Sequence, residues 1–129
     1  MEHQGSFSIQ KWDEDVLTER GEGVKTTQAI IKQAYEGAMA GGSEVAFLMS
    51  YQSSAQAVFT GFESFVGAIN GLRGSVTFQH SGRFDNGIAS SEFVSIPAST
   101  TGELSGKHIT GRFTSGEAGI ARYEISVSS

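Results

Sequence analysis

Along most of this chain apolar and polar residues alternate with a period of two, and the alternating runs are joined by segments too short to contain a crossover. Eight runs can be marked: Ser6 to Asp13, Val24 to Glu36, Glu44 to Gln52, Gln56 to Ala68, Ser75 to Phe84, Ile88 to Ile96, His108 to Thr114, and Ile120 to Val127. A period of two is what a strand with one buried face requires. A parallel neighbour needs a connection of roughly a dozen residues or more. The clusters Gly41-Gly42-Ser43, Ser53-Ser54, Asn70-Gly71 and Asp85-Asn86-Gly87 instead separate runs at hairpin distance. Consecutive strands are therefore expected to be antiparallel neighbours. Two connections read as longer, an acidic loop from Glu14 to Gly23 and a Ser/Thr-rich crossing from Pro97 to Lys107. Thr26 to Ala38 is the one run open to a helical reading, and its Thr-Thr and Ile-Ile pairs favour strand.

Eight sequential strands in 129 residues must stack as two sheets or close on themselves. Closure alone removes both edges. The expected fold is all-β, a closed eight-stranded antiparallel meander barrel forming a single domain over residues 1–129. Gly61, Gly67, Gly74 and Gly82, inside the runs, suit tight strand bends.

Composition narrows the partners. Nine Lys and Arg against fourteen Asp and Glu give a net charge of -5, with the basic residues scattered singly. A phosphate backbone is repelled on average, so no nucleic acid is expected despite nine phenylalanines. No stretch approaches the ~20 apolar residues of a membrane helix. The opening Met-Glu-His-Gln-Gly-Ser has neither a basic segment nor an apolar run. With zero cysteines, this points to the cytoplasm and away from membranes, disulfides and thiolate metal sites. His3, His80 and His108 lack ligand spacing, so no metal is expected, and no cofactor. Gly102-Glu-Leu-Ser-Gly-Lys-His has too few residues before Gly-Lys and no Ser or Thr after it for a phosphate loop. Gly21-Glu-Gly23 lacks the third glycine of a dinucleotide turn, and Asp13-Glu14-Asp15 lacks calcium-loop spacing.

One hairpin carries the candidate chemistry. If Asn70-Gly71 is a two-residue turn with both residues at positive φ, Gly61 faces His80, Glu63 faces Phe78, Phe65 faces Val76 and Phe59 faces Gly82. These residues share one face, and the opposite face, with Thr60, Gln79, Ser81, Ser64 and Thr77, is more polar. The face holding Glu63 and His80 is thus expected to point inward, with the two as diagonal neighbours. Val45, Phe47, Met49 and Tyr51 join it, provided the loop around Ser53 and Ser54 has odd length. For the next strand, an Asn86-Gly87 turn sends Phe93 inward beside His80, whereas a three-residue loop sends Glu92 there. Gly61 and Gly82 leave a bare position beside each polar group, which favours a small space there unless Phe59 fills the second gap. Tyr51 and Trp12 read as core residues with hydrogen-bonded tips.

The elements Tyr51, Phe59-x-Gly61-x-Glu63, Gly67, Gly71-x-x-Gly74-Ser75, Gln79-His80-Ser81-Gly82-x-Phe84, Gly87 and Thr101-Gly102-Glu103-Leu104-x-Gly106, with Ser8-x-x-Lys11-Trp12-Asp13 near the start, carry a likeness over nearly the whole chain. In them the sequence resembles the bacterial family called domain of unknown function 3224. The resemblance implies a closed meander barrel similar in fold to allene oxide cyclase, and it brings no established activity. The cyclase's catalytic pattern has no residue-by-residue counterpart here, and likeness of fold does not transfer function.

A carboxyl group enclosed beside an imidazole is the arrangement from which both acid–base pairs and buried ion pairs are built. Three functions follow as expectations. In the first, the barrel holds a small, mostly apolar ligand between Phe47, Met49, Tyr51, Phe59, Phe78 and Phe93, with Glu63 and His80 orienting its polar group. In the second, Glu63 and His80 serve as the catalytic pair of an isomerase or cyclase. In the third, the lumen is filled and the outward Leu48, Val58, Phe62 and Val66 form the interface of a homo-oligomer.

Overall fold

The computed structural model describes residues 2–115 and 119–129, with the side chain of Glu2 outside the description. The strands run β1 Glu2–Gly21, β2 Val24–Gly37, β3 Met39–Ser53, β4 Gln56–Ile69, β5 Leu72–Asp85, β6 Ile88–Ser95, β7 His108–Ser115 and β8 Ile120–Ser128. Each pairs antiparallel with the next, and β8 returns to β1, closing the ring. No described helix is long and apolar enough to cross a membrane.

The turns set this order. Asn70 and Gly71 both lie at positive φ, at 52° and 81°, as do Asn86 and Gly87 at 51° and 88°. These primed turns match the twist of the strands they join, which is why Asn-Gly makes a hairpin. Gly61 accordingly pairs with His80, and His80 with Phe93, so the Asn86-Gly87 register holds and Glu92 is outside. Tyr51 pairs with Ala57, and a bulge before Ser53 supplies the odd count that keeps Phe47 and Met49 inward. Leu48, Val58, Phe62 and Val66 face outward and are exposed.

Two expected loops prove to be strand. The segment Glu14 to Gly21 continues β1, leaving only a tight turn at Glu22 and Gly23. Gly41-Gly42-Ser43 lies within β3, and the chain reverses earlier, at Gly37 and Ala38. The crossing after β6 closes one end of the barrel. Within it, a 3-10 turn at Gly102–Leu104 drives Leu104 into the core, and the amide of Thr101 bonds the carbonyl of Ser75. At the opposite end β8 starts only at Ile120, so the far half of β1 stands beyond it. Among the described residues the barrel thus has a sealed floor and a mouth with one low side. Trp12 is on the lumen side of that overhang and remains substantially exposed rather than in the core, because no β8 residue pairs with it.

Candidate functional site

The primed turn of the β4–β5 hairpin fixes the parity that turns Glu63 and His80 into the lumen. Both are sealed, at 0% and 1% exposure. Being diagonal on neighbouring strands, they meet directly, with His80 Nε2 2.7 Å from Glu63 Oε1. The other carboxylate oxygen accepts hydrogen bonds from the Tyr35 hydroxyl on β2 and from Ser43 Oγ on β3, the latter at 2.6 Å. On the far side of the ring, His80 Nδ1 is 2.9 Å from Ser91 Oγ on β6. One acid–imidazole pair therefore ties together five consecutive strands. No buried side-chain nitrogen or oxygen among the described residues lacks a partner. Burial, and then the charge of Glu63, push the Tyr35 hydroxyl well above its ordinary pKa, so it stays a neutral donor.

The glycines beside this pair do not leave a void. Phe47, Gly61, His80, Phe93 and Gly111 are successive partners around the barrel. Over bare Gly61 the rings of Phe47 and His80 approach to 5.3 Å, and His80 stacks near Phe93 at 4.9 Å. A Cβ at Gly61 would sit 1.9 Å from the carbonyl oxygen of Ala46, so the wall admits no side chain there. The Phe59 ring covers Gly82. Phe78 is fully buried against Phe93.

Space exists one layer nearer the mouth. A cavity of about 70 Å³ is walled by Phe7, Ile31, Phe47, Met49, Phe59 and Phe113 and rimmed by Ile9, Trp12 and Ile120. Its polar lining residues are Gln33, near the Glu63 network, and Ser115 toward the mouth. The Gln33 oxygen faces Tyr35 and Ser43, at 3.4 and 3.5 Å, while its Nε2 donates to no described group and keeps some access. Three of the expected ligand contacts, Phe47, Met49 and Phe59, line this cavity; Tyr51, Phe78, Phe93, Glu63 and His80 do not. Larger hollows of about 740, 670 and 530 Å³ are open grooves among strand residues such as Thr60, Ser81, Glu92 and Arg112. They are too open to enclose a ligand.

A second polar cluster stands at the mouth. Glu14, on the lumen side of β1, accepts from Trp12 Nε1 at 3.0 Å, Thr27 Oγ1 at 2.6 Å and the Tyr51 hydroxyl at 2.9 Å. Burial alone would raise the Glu14 pKa, but these hydrogen bonds, with Lys25 nearby, hold it below the usual value. Burial and the bond to Glu14 push Tyr51 up to about 12. The sequence reading missed Tyr35, Ser43, Ser91, Gln33 and Glu14. The parity of β2, where Ile31, Gln33 and Tyr35 alternate with Lys32, Ala34 and Glu36, was the signal for two of them. Among the described residues no group of three or more His, Cys, Asp or Glu could hold a metal ion.

Fold and site together define a closed eight-stranded meander barrel built around a buried carboxylate, imidazole and phenol. The chain belongs to the family described as protein of unknown function (DUF3224), whose family model matches residues 3–127. A solved structure of a protein of unknown function from the same family, from Shewanella oneidensis MR-1, is similar with a TM-score of 0.76 and 23% identity. The match covers 99% of this chain and 96% of that one, and it shows the shared fold. No curated protein matches the chain.

Proposed function

We propose that this barrel holds a small, largely apolar molecule at the mouth end of its lumen, with one hydrogen-bond acceptor directed at Gln33 Nε2. The observation that carries this reading is the apolar cavity of about 70 Å³, with Gln33 among its few polar lining residues and the Gln33 oxygen turned to Tyr35 and Ser43. Sites for drug-sized ligands enclose roughly 300–1,000 Å³. The occupant is therefore a molecule of few heavy atoms, or the tail of a longer amphiphile whose head stays beside Trp12 and Ile120. A short-chain aldehyde, ketone or acid has the required chemistry.

Proton transfer by Glu63 and His80 to such a molecule would have to pass through Gln33, Ser43 or Tyr35, because the pair is sealed and its bonds are occupied. That supports a register-holding role for the pair. Native mass spectrometry against short-chain ketones, acids and plain hydrocarbons tests the proposal. One molecule is expected per chain, with acceptor-bearing compounds preferred. Ala121→Leu, which fills the cavity, is expected to abolish binding while keeping or raising the melting temperature. Equal binding by the folded variant would sink the reading.

A further inference from the structure

The pairing of β1 is asymmetric. With β2 it runs from Gly5 to Gly21, but with β8 only from Glu2 to Ser8. From Ile9 to Gly21, one edge of β1 has no described strand beside it, and no described backbone hydrogen bond of another kind reaches it. An unpaired edge is a template for another extended chain.

This edge is held ready. Glu14 pins it to Thr27 on β2 and Tyr51 on β3, so the overhang is braced by two further strands. Between the bulges at Ile9/Lys11 and Val16/Thr18 its side chains alternate. Trp12 and Val16 face the lumen side yet are 44% and 52% exposed, while Asp13 and Asp15 project outward from the barrel wall. From Lys11 to Glu22 the carboxylates Asp13, Glu14, Asp15, Glu19 and Glu22 outnumber the cations Lys11 and Arg20. A second copy pairing here antiparallel would bring Asp13 and Asp15 against their own counterparts, which opposes self-pairing. A basic strand meets a net acidic face, in which Lys11 lies 3.4 Å from Asp13 and Asp15 has no such cation among the described residues.

We infer that the free edge of β1 accepts an extended peptide alternating apolar and basic residues, as an added strand. Its apolar side chains lie toward Trp12 and Val16, and its cations lie beside Asp13 and Asp15. The inference does not depend on what fills the cavity, and Ala121→Leu is expected to bind the peptide as the parent does.

Trp12 is the sole tryptophan, so its emission reports on this edge. Titration with a synthetic peptide of alternating Val and Lys is expected to shift that emission and saturate at one peptide per chain. The affinity falls as salt is raised, because the attraction is between exposed charges. The Val–Glu counterpart and a Val–Lys peptide N-methylated at alternate residues are expected to give no response. The double variant Asp13→Lys, Asp15→Lys should bind the Val–Lys peptide roughly tenfold more weakly or worse. If that variant does not fold, the salt series and the Val–Glu comparison on the unaltered protein still decide. The inference is overturned by an absent saturable response, by equal binding of the N-methylated peptide, or by equal binding of the folded double variant. Self-association that Val16→Lys abolishes would also overturn it, since a second copy would then be the occupant.

Discussion

Glu63 accepts from Tyr35 and Ser43 and pairs with His80 in a space closed to water, so all three depend on the one carboxyl group. Removing the shared acceptor of a buried network costs about 3–5 kcal/mol, because its partners are left desolvated and unpaired. Glu63→Ala is expected to lose stability in that range in urea denaturation. Glu63→Gln, which keeps an acceptor for the hydroxyls and a donor toward the imidazole, should lose about 1–3 kcal/mol. An unchanged urea midpoint for Glu63→Ala would show that the network holds nothing together. Glu63 and His80 were legible because one Asn-Gly turn sets the register of both strands. Tyr35 and Ser43 were not joined to them, since their register depends on the Gly37–Ala38 reversal, which the glycine pair at Gly41 and Gly42 disguised.

At the scale of elements, β1 departs furthest from the sequence reading. Trp12, Glu14 and Val16 alternate inward, but a carboxylate at an inward position reads as a break in the pattern, and the acidic neighbours read as solvent. What keeps the segment extended is tertiary: Thr27 and Tyr51 meet Glu14 from strands whose pairing the local sequence does not encode. The β4–β5 hairpin was read correctly for the opposite reason, since its turn and its alternation agree. Glu14→Ala is expected to free the overhang without unfolding the barrel. Hydrogen exchange should rise by roughly tenfold across Asp13–Gly21 and Val24–Thr27, matching a local loss of about 1–2 kcal/mol, while amides near Phe65 and Phe78 stay protected. Uniform protection in the variant would mean that β2 alone suffices to hold β1.

Across the whole molecule, the three tyrosines of the chain brace the barrel at three heights. At the floor the Tyr123 hydroxyl accepts from the Met39 amide at 2.6 Å and donates to the Glu36 carbonyl at 2.8 Å. At mid-height Tyr35 donates to Glu63, and at the mouth Tyr51 donates to Glu14. Burial is the first cause of an upward pKa shift in all three, and beside Tyr35 and Tyr51 a carboxylate adds to it. In the unfolded chain a phenol titrates near ~10. The folded protein therefore holds its phenolic protons more tightly, and the stabilisation is fully present below that pH. It is lost as pH climbs from ~10 through the folded values, about 12 for Tyr51 and well above the ordinary range for Tyr35. Phenolate absorbance should show no native step near pH ~10. Ionisation should instead coincide with loss of strand signal in circular dichroism, and urea midpoints should fall steadily over the same range. Three phenolates appearing near pH ~10 with the barrel intact would mean that the hydroxyls do not brace it.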